Sequence, residues 1–340
     1  MDSKHLGKQT VHLPTAPSIL AGASVVGKKE GEGPLRNHFD HICPDSYWGQ
    51  KSWEAAESTM LRQCLSLCCD KAGHTPSSIE YLFAGDLQNQ CTASTFALRD
   101  MAIPYFGLYG ACSTMAESLS LAAMAIDGGF AKITAAMTGS HFCTAERQYR
   151  LPLEYGGQRT PTAQWTVTGA GTMILGQEGS GPYVTHITTG VIRDAGIKDP
   201  ANMGAAMAPA ACETILAHFR DTGRKPSDYD LILTGDLGHV GHEILLDLLK
   251  KEGIGTGGCC TDCGMLIYDA AAQDVHAGGS GCGCSASVLC GYVLDQMLKG
   301  TWSRVLFVAT GALLSPTSTL QGESIPGIAH AVVLDKKRRN

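Results

Sequence analysis

The sequence is poor in charged and aromatic side chains. Asp, Glu, Lys and Arg make up 17% of its 340 residues and Phe, Trp and Tyr 6%, whereas hydrophobic residues reach 44%. General disorder is excluded, because this many apolar side chains can build a sizeable core. The net charge is −6 and no large basic block is present, so we expect no nucleic acid partner.

Long hydrophobic runs and a dense cysteine framework are also missing. The most apolar stretch, residues 119–126, ends at Asp127 and Gly128, far short of the ~18 residues that a membrane span needs. The charges near the N-terminus are not followed by the apolar segment of a secretion signal. The 14 cysteines are too sparse for a disulfide scaffold. These absences predict a reducing, intracellular compartment.

The chain contains an internal repeat. Residues 110–128 have the pattern of a tight turn and an apolar helix, and residues 132–139 that of the following strand. The pattern returns 172 residues later, as a helix over 284–300 and a strand over 304–311. Because one such match can arise by chance, a duplication needs a second match in the same order.

That second match precedes each copy, at an offset of 150 residues. It pairs helix 58–72 and strand 81–86 with helix 208–222 and strand 230–236. Two matches in the same order predict a gene duplication. Each half alternates helices with short apolar strands, which is typical of a mostly parallel sheet covered on both faces.

A glycine-rich segment over residues 179–182 marks the predicted boundary between the halves. We expect an N-terminal half over residues 1–178 and a C-terminal half over residues 179–340. No linker of useful length separates them, so the halves are expected to share an interface. A pocket between them is the default ligand site.

Cys112 is the first candidate for chemistry, because it immediately precedes a predicted helix. The helix dipole and the free backbone N–H groups of such a position favour an anion. The position therefore predicts a lowered pKa and a nucleophilic thiol. The alternative is a small, inert residue buried in a tight turn.

His239 lies just past the end of a predicted strand, where ligand residues gather in open α/β sheets. His242 follows three residues later, and together they form only half of a zinc site. We therefore treat His239 as the functional candidate and His242 as a solvated or capping residue.

Residues 278–285 form the densest glycine cluster of the chain and precede the second-copy helix. The cluster predicts an anion-binding nest of backbone amides at a helix N-terminus, and the alternative is a turn that needs positive φ angles. Cys260, Cys263, Cys282 and Cys284 approach the spacing of a zinc ribbon. Their last pair is C-x-C inside the repeat, so no metal is predicted and a zinc scaffold stays an alternative.

Cationic side chains follow the first copy of the repeat. Arg147, Arg150 and Arg159 are candidates for a carboxylate clamp, because arginine binds carboxylates with two hydrogen bonds. Solvated loop charges are the alternative. The basic tail over 336–339 is suited to an anionic lipid surface, although terminal cations are often simply solvated.

The duplicated halves, the cysteine before a first-half helix and the second-half histidine together resemble the thiolase superfamily, and most closely its ketoacyl synthase III group. Residues 164–171 resemble the motif that ends the first half of those enzymes. The resemblance implies a duplicated, five-layered αβαβα sandwich, usually dimeric, with Cys112 as nucleophile and His239 as its partner. The Asn of the synthase glycine-rich loop is replaced by Cys282, a poor substitute donor.

Three longer segments, 144–150, 274–285 and 308–316, resemble the stage V sporulation protein AD (SpoVAD) family. That resemblance implies a protein that binds dipicolinic acid, pyridine-2,6-dicarboxylate, alone or with calcium, and supports its uptake into the developing spore. It further implies other SpoVA membrane proteins as partners, a homodimer, a peripheral place at the cytoplasmic face of the spore inner membrane, and no cofactor.

The physical reasoning agrees with a binder of a flat dianion. Helix N-termini at Ser113 and Ser285 are expected to converge on one pocket, each contributing ~0.3–1 kcal/mol toward a carboxylate. The predicted ligand-binding residues are Cys112, Ser113, Arg147, Arg150, His239, Ser280, Gly281 and Cys282. The rival hypothesis is an acyltransferase or condensing enzyme that works through an acyl-Cys112 intermediate.

Overall fold

The computed structural model describes residues 3–149 and 159–338. Its strands are β1 Thr10–His12, β2 Ser18–Gly27, β3 His41–Cys43, β4 Tyr81–Gly85, β5 Tyr105–Gly107, β6 Ile133–Ser140, β7 Trp165–Thr166, β8 Gly169–Gly176, β9 Tyr183–Thr188, β10 Leu231–Thr234, β11 Cys260–Asp262, β12 Gly279–Ser280, β13 Arg304–Ala312 and β14 Gly327–Asp335. Its α-helices are α1 Lys28–Gly31, α2 Trp53–Ala72, α3 Thr92–Leu98, α4 Thr114–Asp127, α5 Phe142–Tyr149, α6 Met203–Thr222, α7 Gly238–Lys251, α8 Cys263–Leu266, α9 Cys282–Ser287, α10 Leu294–Lys299 and α11 Pro316–Leu320.

The main strands form two half-sheets with the same arrangement. Their orders are β5-β4-β6-β8-β2 and β9-β14-β13-β10-β11, and Ser18 of β2 pairs with Tyr183 of β9 where they meet. In each half the two strand pairings farthest from this junction are parallel, and the two nearest to it are antiparallel. The match between the halves agrees with the predicted duplication.

Helices cover both half-sheets and also separate them. α2 and α3 pack on the outside of the first half-sheet, α6 and α7 on the outside of the second, and α4 lies between the two. α4 can occupy the middle layer because its apolar residues, such as Met115 and Leu119, contact strands on both sides. The predicted five-layered αβαβα sandwich is confirmed.

The predicted boundary at residue 178 lies in the connection between β8 and β9. The halves nevertheless share structure across that boundary. β1, from the N-terminal half, pairs with β9, and α9, from the C-terminal half, packs directly on β8. A Cβ added at Gly171 of β8 would lie 2.3 Å from the carbonyl oxygen of Ala286, so the two backbones touch.

The helix predicted over 284–300 is interrupted. The chain follows α9 with a π-helical segment, Val288–Val293, before α10 begins. The segment crosses other backbone closely, since a Cβ at Gly291 would lie 2.7 Å from the carbonyl oxygen of His38. The predicted end at Gly300 is correct, because this residue adopts the left-handed conformation that ends many helices, with φ of 87°.

In residues 3–149 and 159–338, no helix has the length and the apolar character that crossing a membrane requires.

Candidate functional site

A pocket opens at the carboxyl ends of the strands, between the two halves. It has an empty volume of about 540 Å³, counted together with the space at its open mouth. Leu87 after β4, Ala145 of α5 and Ala312 at the end of β13 contribute apolar walls. The polar side chains that line it are Tyr109, Cys112, Glu146, Tyr149, Thr166 and Ser280. Such a site at strand ends is where α/β sheets bind ligands.

Cys112 lies at the inner end of this pocket. It belongs to a single 3₁₀ turn, Ala111–Ser113, which precedes α4, and only 5% of its surface is exposed. The thiol packs with Leu87, Ala145 and Cys282 in a small apolar cluster. The tight turn that the sequence predicts here is therefore present, and it directs Cys112 into the pocket.

Asp236, immediately after β10, is the charged group beside Cys112. Its carboxylate is fully buried. Oδ2 accepts hydrogen bonds from the Gly281 N–H at 2.9 Å and from the Ser280 hydroxyl at 3.3 Å, while Oδ1 accepts one from Thr310 at 2.9 Å. Burial raises the pKa of Asp236 to about 6, although these hydrogen bonds oppose the shift.

The environment of the Cys112 thiol is the opposite of the predicted one. Burial raises its pKa well above the ordinary value, and the nearby Asp236 carboxylate raises it further. The predicted lowering is wrong because desolvation and a neighbouring carboxylate outweigh the effect of a helix end. The thiol is therefore protonated at neutral pH and is not activated as a nucleophile.

His239 does not occupy the position beside Cys112. It lies in the first turn of α7, half-buried, with its backbone N–H bound to the Ala277 carbonyl at 2.8 Å, and it does not line the pocket. The side chain that reaches the thiol comes from Asp236, three residues earlier. A signal for this residue was available, since the offset of 150 residues aligns Asp236 with Asp86, and both follow equivalent strands.

Two of the predicted ligand residues point elsewhere. Ser113 is buried and its hydroxyl donates to the Gly110 carbonyl at 2.7 Å. Arg147 is exposed, forms an ion pair with Glu54 at 2.8 Å and lies 4.8 Å from the ring centre of Trp53. Neither lines the pocket. Arg150 lies outside the described residues, so its predicted role stays a prediction.

The glycine-rich segment does reach the site. Ser280 lines the pocket, Gly281 has φ of 95°, and Cys282 is fully buried with its thiol donating to the Gly139 carbonyl at 3.0 Å. α9 and the turn that holds Cys112 contact each other, as predicted. The gap between them already holds an anion, because the Asp236 carboxylate accepts the Gly281 N–H. In this part of the site the protein supplies its own negative charge, which the prediction of two helix N-termini facing a dianion did not include.

Comparison with known proteins identifies the family. The model of the "Stage V sporulation protein AD (SpoVAD)" family matches residues 7–335. The stage V sporulation protein AD of Bacillus subtilis (strain 168) is 45% identical over 333 residues, which cover 98% of this chain and 98% of that protein. The chain belongs to the SpoVAD family.

Solved structures show the fold that this SpoVAD family member shares with condensing enzymes. The 3-oxoacyl-[acyl-carrier-protein] synthase III of Aquifex aeolicus VF5 aligns with a TM-score of 0.57 at 13% identity, covering 94% of this chain and 99% of the synthase. Cerulenin-bound OleA of Xanthomonas campestris aligns with a TM-score of 0.60 at 14% identity, covering 98% and 100%. The predicted thiolase-like fold is therefore confirmed.

Two further buried acids support the pocket wall of this SpoVAD family member. Glu57 of α2 accepts hydrogen bonds from Gln88 at 2.8 Å and Thr144 at 2.5 Å, and Asp86 accepts the Gln88 N–H at 2.9 Å. Burial and the charge of Asp86 raise the pKa of Glu57. No sequence motif indicated this pair, which ties α2, α5 and the chain after β4 together behind Cys282.

The four cysteines of the zinc alternative lie in different surroundings. Cys282 belongs to the pocket cluster with Cys112, whereas Cys263 and Cys284 are buried in the main core. Cys260 lies half-buried on β11. Across residues 3–149 and 159–338, no three His, Cys, Asp or Glu side chains come together in a group that could hold a metal ion.

Proposed function

We propose that this SpoVAD family member binds dipicolinic acid in the pocket beside Cys112 and supports its uptake into the developing spore without chemical turnover. The observation that carries the proposal is a small-molecule pocket at the strand ends of a chain that matches the family along residues 7–335. The pocket combines apolar walls with a few polar groups, which is the usual composition of a small-ligand site. A rigid aromatic acid loses little conformational freedom on entering such a space.

Polar groups on one side of the pocket suit a ligand with acidic and ring atoms. Tyr109 and Tyr149 are bonded through their hydroxyls at 2.8 Å, and Tyr149 also donates to the Leu87 carbonyl at 2.8 Å. Burial raises the pKa of both phenols, which keeps them neutral. Thr166 and Ser280 add hydroxyls across the pocket. In the proposed complex the apolar walls would contact the ring and the hydroxyls would donate to its carboxylates.

Calorimetry with dipicolinate tests the proposal. Ala145→Phe fills the pocket from α5, so we expect the dissociation constant to rise at least about tenfold, the equivalent of ~1.4 kcal/mol. Arg147→Gln is the matched control on the same helix and should leave the affinity unchanged, because Arg147 binds Glu54 outside the pocket. Arg150→Gln tests the remaining predicted cation, and parallel titrations with calcium test whether the ion accompanies the ligand. Absence of saturable binding up to millimolar dipicolinate would refute the proposal.

The acyl-transfer alternative predicts a different result. The pKa of the Cys112 thiol is raised well above its usual value, and the neighbouring Asp236 carboxylate, with a pKa of about 6, is too weak a base to convert it to a thiolate. We therefore expect no stoichiometric adduct when the protein is incubated with acyl-CoA and its intact mass is measured. An adduct that Cys112→Ala abolishes would favour the enzyme instead.

We also propose that the protein forms a homodimer through β5. This strand is the last in the order of the first half-sheet, and Phe106 on it is 52% exposed although its ring stacks on Phe83. An exposed strand edge with aromatic side chains is a template for pairing with another strand. β5 of a second copy can pair with the backbone N–H and C=O groups of this edge and bury its aromatic side chains.

Phe106→Asp should shift the protein from dimer to monomer, because it places a charge in that interface. Light scattering after size-exclusion chromatography measures the mass. Phe130→Asp is the control, since Phe130 is 75% exposed in the turn after α4. A wild-type protein with the mass of one chain at micromolar concentration would contradict the dimer.

The remaining family-based expectations also belong to this proposal. They are association with other SpoVA membrane proteins and a peripheral location at the cytoplasmic face of the spore inner membrane. Fractionation of sporulating cells with and without those membrane proteins tests both together. Loss of the protein from the membrane fraction when they are missing is the expected outcome.

A further inference from the structure

The pocket has an electrostatic problem as a dianion site. None of the described side chains that line it is cationic, whereas Glu146 lines it and the Asp236 carboxylate lies directly behind Cys112 and Ser280. A buried negative charge next to a carboxylate ligand is costly unless it is neutralised. A proton is the smallest species that can neutralise it.

We propose that the ligand enters this pocket together with one proton, and that Asp236 is the positioning residue that holds the proton behind Cys112 and Ser280. The inference rests on the proposed function, because it concerns the binding of a planar dicarboxylate at that site. It extends the function by adding a dependence on proton concentration and by assigning the residue that carries it.

The hydrogen bonds of Asp236 show how its protonation prepares the site. While Asp236 is charged, its carboxylate accepts the hydroxyl proton of Ser280 and attracts the thiol proton of Cys112. Both donors line the pocket, yet both are directed inward. A protonated Asp236 still accepts the hydrogen bonds of Gly281 and Thr310 and can donate its own proton to the Ser280 oxygen, so the Ser280 and Cys112 protons can turn toward a ligand carboxylate.

The free protein is already close to this state. Burial raises the pKa of Asp236 to about 6, and a ligand carboxylate nearby raises it further, because two like charges in a desolvated site oppose each other. Above pH 6 the ligand must therefore bring the proton with it. Its affinity should fall as the pH rises.

Other titratable groups surround Asp236, and their contribution to the pH dependence must be distinguished from that of Asp236. Asp262 of β11 interacts electrostatically with Asp236, since burial and the Asp236 charge raise the pKa of Asp262 to about 7. Thr310 of β13 carries no charge. The remaining groups are thiols with raised pKa values and the acids beyond Cys282: Cys112, Cys263, Cys282, Cys284, Glu57, Asp86 and Glu146.

Calorimetry in buffers with different ionisation enthalpies counts the protons. With EDTA present and dipicolinate as ligand, we expect the wild-type protein to take up about one proton per ligand at pH 7.5. Its dissociation constant should rise about tenfold per pH unit between pH 6.5 and 8, where the dipicolinate carboxyls themselves stay ionised. Asp236→Asn should bind with a constant that varies less than about twofold over this range and should take up no proton.

Asp262→Asn and Glu57→Gln are the controls, because they remove buried acids that do not bond to pocket-lining donors. Both should keep the pH dependence. Wild-type binding without proton uptake would overturn the inference while leaving the proposed function intact, and no binding would remove both. If the affinity of Asp236→Asn still depends on pH, another group takes up the proton. If the wild-type affinity does not depend on pH and Arg150→Gln no longer binds, that arginine neutralises the charge of the ligand. The wild-type proton count keeps the inference testable even if a variant does not fold.

Discussion

Replacing Arg304 with Met should lower the free energy of unfolding by about 3–5 kcal/mol, the usual cost of removing one partner of a buried ion pair. Arg304 and Asp335 are directly paired residues of β13 and β14, and Nε lies 2.8 Å from Oδ1 of the carboxylate. Only 2% of Asp335 is exposed. Thr185 donates to its other oxygen at 2.8 Å, but one hydroxyl cannot replace a guanidinium.

Urea unfolding of the variant and the wild-type protein measures this difference. Lys299→Met is the matched control, because Lys299 pairs with Asp295 one helical turn away at the surface and such pairs contribute below ~0.5 kcal/mol. The double variant Arg304→Met with Asp335→Leu should recover a large part of the loss, since it leaves no buried charge. A loss below about 1 kcal/mol in Arg304→Met would show that the pair does not hold β13 and β14 together.

The architecture was accessible from the sequence because it depends on repeated local patterns. Helices followed by short apolar strands recur at two offsets, and they correspond to α2 with β4, α6 with β10, α4 with β6 and the α9–α10 region with β13. Long-range pairings were not accessible in this way. Nothing in residues 10–12 indicates that they pair with β9, and the π-helical segment over 288–293 keeps the apolar pattern of an uninterrupted helix.

The site was only partly predictable, because its chemistry depends on which side chain reaches a point in space. Their position before helices pointed to Cys112 and Ser280, which line the pocket, and to Gly281 and Cys282, which lie beside it, while their role in ligand binding stays a prediction. His239 was favoured because it lies just past a strand end and because the resemblance implies a partner histidine, yet the side chain that reaches the thiol is that of Asp236, nearer the end of β10. The acidic residue was visible in the repeat, but its burial and its bond to Gly281 were not.

The charge of the site shows the same limit. Arg147 directly follows Glu146, which lines the pocket, but on the helix its side chain points away from the pocket, toward Glu54 and Trp53. Arginines that lie close to pocket residues in the sequence therefore do not predict the electrostatic potential of the pocket. The described site combines an acid and thiols of raised pKa with neutral hydroxyl donors. In such a site the ligand and the proton concentration together determine the charge state of the buried acid.

Gly283→Ala should cost about 1–3 kcal/mol of stability and weaken dipicolinate binding as well. Alanine is ordinarily preferred over glycine inside a helix by ~1 kcal/mol. At this position, however, a Cβ would lie 2.3 Å from the Gly169 carbonyl oxygen and 2.9 Å from the Ser140 nitrogen. Neither backbone group can yield easily, because both belong to paired strands of the first half-sheet, so α9 must move away.

That movement would displace the site, since the first turn of α9 carries Cys282 and follows Gly281, which binds Asp236. Gly255→Ala is the control, because Gly255 has no atom within 4 Å of an added Cβ and no positive φ; it should change stability by less than about 0.5 kcal/mol. Urea unfolding and dipicolinate calorimetry on both variants give the two readouts. If Gly283→Ala unfolds like the wild-type protein and keeps its affinity, the close contact between α9 and β8 does not position the pocket, and the coupling of the two halves through this helix must be rejected.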